Sequence, residues 1–109
     1  MTLDEFEDLV PLACANSSIV SGVAIISSGV TWIRLRAYLV ENIYFDAFYN
    51  EVTGKTAYAL IQGDHCIFGA DNTGGWHWHP FEKPQSHRPA SEKISFQDFL
   101  KQVEEHMNA

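Results

Sequence analysis

The pattern of apolar and polar residues predicts a helix near each end of the chain, with strands between. Thr2 and Glu5 have the spacing of a capping box, and an apolar stripe of helical period follows them. Pro11 is expected to end or kink this first helix near the preceding residue, with a short further turn to residue 15. Ser95 and Asp98 repeat the capping-box spacing before a second helix. The buried stripe of that helix is predicted to comprise Phe96, Phe99, Leu100, Val103 and Met107.

Five short segments rich in β-branched and aromatic residues lie between the two helices and are separated by turn signals. They cover residues 19–27, 30–40, 43–52, 55–62 and 65–71. The first is almost wholly apolar, which favours a strand that is covered on both faces or lies at the centre of the sheet. Short strands joined by two-residue turns are typical of an antiparallel meander. The predicted fold is therefore α+β, a meander of about five strands with both helices packed on one face, in a single domain over residues 1–109.

The turns fix which side chains share a face of this sheet. If residues 41–42 form a two-residue hairpin turn, Arg34, Tyr49 and Tyr58 lie in one cross-strand row, with Arg36 on the same face. This polar and aromatic face is either an ordinary solvated surface with stabilising aromatic pairs, or a substrate platform. In the second case arginine binds a phosphate and tyrosine rings stack on bases.

One carboxylate conflicts with this register. Asp46 falls in the middle of the opposite, apolar face, where an unpaired carboxylate is costly. We therefore expect either that Asp46 has a partner or that a bulge shifts the register.

Residues 71–89, DNTGGWHWHPFEKPQSHRP, contain two of the three tryptophans and three of the five histidines. If this segment is extended, His77 and His79 point to one side and the two indoles to the other. Such a His-x-His pair can chelate a metal, and zinc, nickel or copper is favoured over magnesium because no carboxylate-rich spacing accompanies it. The candidates for a third ligand are His87, His65 and Asp71.

Two alternatives need no metal. A histidine can act as general acid or base while Arg34, Arg36 or Arg88 neutralises the charge that develops on a phosphorus centre. Alternatively, Trp76 and Trp78 cover the edge of the sheet and the histidines are simply solvated.

Composition limits the classes of function. There are 14 acidic and 7 basic residues, and the net charge of −7 disfavours non-specific binding to phosphate backbones, although a local basic patch is compatible with it. Cys14 and Cys66 form no CxxC pair, and they predict reduced thiols in the cytoplasm. Residues 9–33 lack charge but contain many polar residues and glycines, and the acidic first residues are unlike a signal peptide. We expect no membrane segment.

The order of these segments resembles the TumE-type toxins of prokaryotic toxin–antitoxin pairs and their relatives, over residues 30–107. The resemblance is carried by LRAYLVEN, by FGADN at the end of the fifth strand and by the histidine- and proline-rich segment. Asp71 and Asn72 match the family's Asp-Asn, and His77 and His79 match its first histidine pair with a spacing that is one residue wider. A second cluster in the family corresponds here only to His87 with Arg88 beside it.

The resemblance implies a cytoplasmic prokaryotic or archaeal protein paired with a helix-turn-helix antitoxin, with RNA cleavage as the expected activity. The first functional hypothesis is accordingly a small ribonuclease-like hydrolase. Its expected catalytic residues are His77, His79 and His87. Its expected substrate-binding residues are Arg34, Arg36, Tyr49, Tyr58, Asp71, Asn72 and Arg88. The alternative is a non-catalytic module that binds a metal or a protein, and a homodimer that covers a tryptophan-rich edge is a third possibility.

Overall fold

A computed structural model describes residues 1–108 and contains two helices that flank a seven-stranded antiparallel sheet. The helices are α1 (Leu3–Ala15) and α2 (Phe96–Met107). The strands are β1 (Gly22–Ser28), β2 (Trp32–Tyr38), β3 (Ile43–Asn50), β4 (Thr56–Gln62), β5 (His65–Asp71), β6 (His77–His79) and β7 (Arg88–Pro89). Each strand pairs with its neighbour in sequence, so the sheet is an uninterrupted meander. The predicted α+β class is confirmed, with two short strands added beyond the expected five.

Both predicted capping boxes are present. The side chain of Thr2 accepts a hydrogen bond from the backbone N–H of Glu5, and Ser95 does the same for Asp98. Of the two outcomes expected at Pro11, an end of the helix is wrong, because α1 continues through the proline to Ala15. Three buried residues on one stripe, Phe6, Val10 and Cys14, span the proline. Their burial against the sheet offsets the hydrogen bond that proline cannot make.

The hairpin between β2 and β3 does not have the predicted two-residue turn. Glu41 and Asn42 both adopt positive φ angles, and the pairing of Tyr38 with Tyr44 makes the connection one residue longer than expected. A one-residue change in register turns every following side chain to the other face. Arg36 therefore lies opposite Asp46, and the conflict over that carboxylate is resolved.

The predicted row of Arg34, Tyr49 and Tyr58 is consequently wrong. Arg34 pairs with Phe48, whereas Tyr58 pairs with Ala47 on the face that the helices cover. Tyr58 is 5% exposed, and burial together with Asp98 raises the pKa of its phenol. The hydroxyl of Tyr49 donates to the carbonyl of Met1 instead of facing a substrate platform.

A second irregularity lies between β4 and β5. The predicted turn at residues 63–64 is confirmed by the pairing of Gln62 with His65. The register of β4 against β5 then shifts between Leu60 and Ile61, so that Leu60 pairs with Phe68. This bulge turns Asp71 to the face opposite Tyr58.

One hydrophobic core joins the two helices to one face of the sheet. Phe45, Leu60 and Phe99 are all fully buried in it. β1 is an edge strand and is largely exposed, so the expectation of a central strand over residues 19–27 is wrong. A run of β-branched residues indicates a strand but does not fix its position in the sheet.

The face of the sheet opposite the helices is called the open face below. It carries Trp32, Arg34, Arg36, Tyr44, Asp46, Phe48, Ala57, Ala59, Gly69, Asp71, His77 and His79. Within residues 1–108, neither helix combines the length and the hydropathy needed to cross a bilayer.

Candidate metal centre

Strand β6 separates the histidines from the tryptophans, as the alternation of the WHWH segment predicts. Trp76 and Trp78 pack against the core, where they stack on Tyr58 and Phe68. His77 and His79 lie on the open face beside Asp71, which pairs with His77 across the strands. Core cover by the tryptophans and a polar role for the histidines are thus compatible. Because the indoles are packed inward, they no longer give a reason to expect a homodimer, which stays a prediction.

Three imidazoles gather at this point of the open face. His77, His79 and His87 are called the histidine cluster below. Their ring centroids lie 4.6 to 4.9 Å apart. One ring nitrogen from each can be chosen so that all three lie within 4.8 Å of one another. Tetrahedral zinc with Zn–N distances of about 2.0–2.1 Å requires donors about 3.4 Å apart. His87 is exposed at the surface, so its side chain has room to rotate toward the other two.

The outer nitrogens of two rings are fixed by backbone carbonyls. Nδ1 of His77 lies 3.0 Å from the carbonyl oxygen of Gly75, and Nδ1 of His79 lies 3.1 Å from that of Pro84. A carbonyl can only accept, so both Nδ1 atoms carry the hydrogen. The Nε2 atoms of both rings are left to face Asp71 and the cluster, and a ring that gives up its Nε2 hydrogen has a lone pair there that can bind a metal. Histidines that bind metals are held in the same way in other proteins.

Asp71 completes the arrangement. Its Oδ2 lies 2.9 Å from Nε2 of His79, and its Oδ1 accepts a hydrogen bond from the backbone N–H of Thr73. Burial raises the pKa of Asp71, but the hydrogen bonds from His79 and Thr73 and the charges of the two imidazoles outweigh this effect. The pKa is therefore lowered, and the carboxylate is ionised at neutral pH.

The remaining nitrogen of His77 is unusual. Its Nε2 is buried and has no hydrogen-bond partner among residues 1–108. Oδ1 of Asp71 lies 3.2 Å away, but the alignment of the two groups does not make a hydrogen bond. A buried polar atom without a partner is costly in an ordinary protein interior. A ligand shared with His79 and His87 would satisfy it.

The backbone before β6 explains how this geometry arises. Gly74 and Gly75 have φ angles of 70° and 107°, a region that side-chain-bearing residues rarely adopt. The turn that they form directs the Gly75 carbonyl toward His77, two residues later. The pair that looks like a plain loop hinge in the sequence therefore orients a histidine ring.

The other predicted site residues lie elsewhere or have structural contacts. The side-chain amide of Asn72 accepts from the N–H of Thr56 and donates to the carbonyl of Gly54, so it fixes the β3–β4 loop. His65 lies at the opposite end of β5 from Asp71, which leaves His87 and Asp71 as partners of the His-x-His pair. Arg88 is exposed and pairs through its backbone with Trp78.

Both arginines of the predicted binding face contact Asp46, the carboxylate that the predicted register placed on the wrong face. Arg36 forms two hydrogen bonds to Asp46, at 2.8 and 3.1 Å, and its guanidinium lies 4.0 Å from the centre of the Tyr44 ring. The hydrogen bond to Asp46 raises the pKa of Arg36 despite partial burial. Arg34 lies 3.9 Å from the same carboxylate and over the ring of Phe48.

No family model matches the chain, and no curated protein or solved structure is significantly similar to it.

Proposed function

We propose that the protein is a metal-dependent hydrolase whose ion is held by the histidine cluster. The observation that carries this proposal is the convergence of three imidazoles in which two Nδ1 atoms are fixed by carbonyls and the Nε2 of His77 is buried without a partner. Imidazole donors suit zinc, nickel, copper and iron. Zinc is the ion that we propose, because three histidines with one open position are a common catalytic zinc set.

Neutral imidazoles leave the full charge on a bound ion, which lowers the pKa of a water at the open position toward neutrality. Asp71 is an ionised carboxylate beside His77 and His79, where it can accept a proton from such a water. The exposure of His87 leaves one side of the cluster accessible from solvent. The protein's own groups therefore supply ligands, a base and access for a substrate.

The test compares two double variants that remove the same number of histidines. H77Q/H79Q removes the strand pair, whereas H65Q/H106Q removes two exposed histidines outside the cluster. We expect the wild type and H65Q/H106Q to bind one zinc per chain and to hydrolyse an activated ester only when zinc is present. H77Q/H79Q should bind at least 100-fold more weakly, an effect beyond the 10–100-fold of lost outer contacts. Equal zinc affinity in the two variants, or iron as the resident metal, would contradict the proposal.

A specific observation also favours a second function. Asp71 is close enough to provide a fourth donor, and a site closed by four protein ligands is typical of structural zinc. The protein would then be a metal-stabilised binding module. Asp71→Asn separates the two functions, because a catalytic base can be lost without loss of metal. Retained zinc with a hydrolysis rate lower by about 10²–10⁴-fold supports the enzyme, and a large loss of zinc affinity supports the closed site.

The toxin-like, RNA-cleaving function that the resemblance implies stays a proposal within the same class of reaction. It adds a helix-turn-helix antitoxin as partner. Expression of the protein in bacteria should then arrest growth, and H77Q/H79Q should relieve the arrest while H65Q/H106Q does not. Growth that is unaffected by the wild-type protein at high expression would contradict it.

A further inference from the structure

The open face connects the histidine cluster to the arginines through two parallel rows of side chains. One cross-strand row consists of Arg34, Phe48, Ala57, Asp71 and His77. The adjacent row consists of Arg36, Asp46, Ala59, Gly69 and His79. Neighbouring strands lie about 4.8 Å apart, so the backbones of Arg34 and Asp71 are separated by about 14 Å. The arginines and the histidine cluster therefore lie on the same face, on either side of the middle of the sheet.

The floor between them is made of the smallest side chains. Ala57, Ala59 and Gly69 occupy the middle positions of the two rows and leave a depression. Its arginine end is a trough of about 180 Å³ lined by Arg34, Asp46, Phe48, Lys55, Ala57 and Ala59. Close packing of the sheet also requires a glycine at position 69, since a Cβ there would lie 2.8 Å from the carbonyl oxygen of Tyr58.

The trough has a surplus of positive charge. Asp46 is neutralised by the two hydrogen bonds from Arg36, which leaves Arg34 and the exposed Lys55. The side chain of Arg34 is 43% exposed. Half of the 14 acidic residues lie on the helices that cover the other face, four in α1 and three in α2, against one lysine. The negative net charge of the chain is therefore concentrated away from the open face, and an anion can approach that face.

The size of the trough distinguishes a small anionic molecule from an anionic chain. Sites for small molecules typically enclose about 300–1,000 Å³, so a trough of about 180 Å³ is too small to enclose one. A chain-like substrate that crosses the open face has no such requirement. Trp32 and Phe48 stack at a centroid distance of 6.0 Å beside Arg34, and they offer half-exposed aromatic surface next to the cation. Cations interleaved with aromatic rings are typical of surfaces that bind single-stranded nucleic acid.

We propose that the open face binds a single-stranded nucleic acid, with one backbone phosphate at Arg34 and Lys55 and a neighbouring part of the strand at the histidine cluster. The inference rests on the proposed function, since it assigns a substrate class to the same metal centre. It concerns binding, however, and it can be measured without any reaction.

The experiment measures the affinity of a fluorescent single-stranded RNA of about ten nucleotides as a function of salt. R34Q/K55Q removes the trough cations, and K93Q/K101Q removes the same charge on the helix side. We expect R34Q/K55Q to bind at least fivefold more weakly and to lower the slope of log affinity against log salt by about 0.7 per cation removed. K93Q/K101Q should keep the wild-type slope.

A further variant tests the floor without changing charge. Ala59→Leu places a large side chain in the trough, at a half-buried position of the open face. It should weaken RNA binding at least tenfold while zinc stoichiometry and thermal midpoint stay unchanged. A polyglutamate peptide of equal charge serves as the competing anion and should bind more weakly than the RNA.

The two proposals fail in different ways. If zinc is bound and esters are hydrolysed, but both charge variants bind RNA equally, the nucleic-acid inference is overturned and the hydrolase stands. If RNA affinity depends on Arg34 and Lys55 while no zinc binds the histidine cluster, the inference stands and the hydrolase falls. Polyglutamate bound as tightly as RNA would also overturn the assignment of the substrate class.

Discussion

The two faces of the sheet are built from opposite kinds of side chain, although they alternate residue by residue along the same strands. The covered face holds Phe45, Leu60 and Phe68, which interlock with aromatic residues of α2. The open face holds ion pairs, small residues and imidazoles, and no helix among residues 1–108 covers it. The covered face provides the energy of folding, whereas the open face keeps polar groups in place for another purpose.

The largest expected difference is in stability. Phe99→Ala removes a fully buried ring that contacts Phe45, Tyr58 and Phe68, and it should lower the free energy of unfolding by about 3–5 kcal/mol. Phe48→Ala on the half-exposed open face should cost only about 1–2 kcal/mol. Urea denaturation measures both values. Equal losses would mean that the open face also contributes a packed core.

A smaller effect is expected from the carboxylate on the open face. Asp46→Asn weakens the pair of hydrogen bonds with Arg36 and should lower the free energy of unfolding by about 1 kcal/mol. Asp64→Asn, at an exposed turn, is the matched control and should leave stability unchanged. Thermal melts at low and high salt would show the difference. A D46N variant that is as stable as the wild type would mean that the pair with Arg36 does not contribute to the free energy of unfolding.

The smallest effect separates the two cysteines. Burial, followed by the charge of Glu104, raises the pKa of Cys14 to about 11, and partial burial of the sulfur also raises the pKa of Cys66. Only the thiolate reacts, so alkylation of each cysteine should accelerate as pH rises toward the pKa of its thiol. At pH 8 we expect slow modification of Cys66, which is exposed, and none of Cys14 in the folded protein. Mass spectrometry of digested samples gives the site, and modification of Cys14 without unfolding would contradict the burial of α1.

The sequence predicted the parts of the fold that depend on local pattern. Both capping boxes and the stripe of α2 can be recognised because their spacing follows the geometry of a single helix. The faces of the sheet could not be assigned from local pattern, because they depend on the length of the turn between β2 and β3. The positive φ angles of Glu41 and Asn42 turned β3 over, and with it Tyr49 and Tyr58. The misplaced Asp46 was the only signal of that error in the sequence.

The candidate site shows the same division. The period of two in WHWH placed His77 and His79 on one side, and the structure brings His87 and Asp71 to them. Sequence reasoning missed Lys55 and the floor of Ala57 and Ala59, because their role appears only once β2 to β6 are aligned. The carbonyls of Gly75 and Pro84, which fix the imidazoles, are backbone atoms that no residue pattern identifies.

The most direct test of the central claim is a crystal structure of the protein with one equivalent of zinc, with anomalous scattering recorded at the zinc edge. We predict one strong peak at about 2.0–2.1 Å from Nε2 of His77 and of His79, with His87 rotated inward to contact it. Zinc bound instead at His65, His106 or Cys66, with the cluster unchanged, would contradict the account.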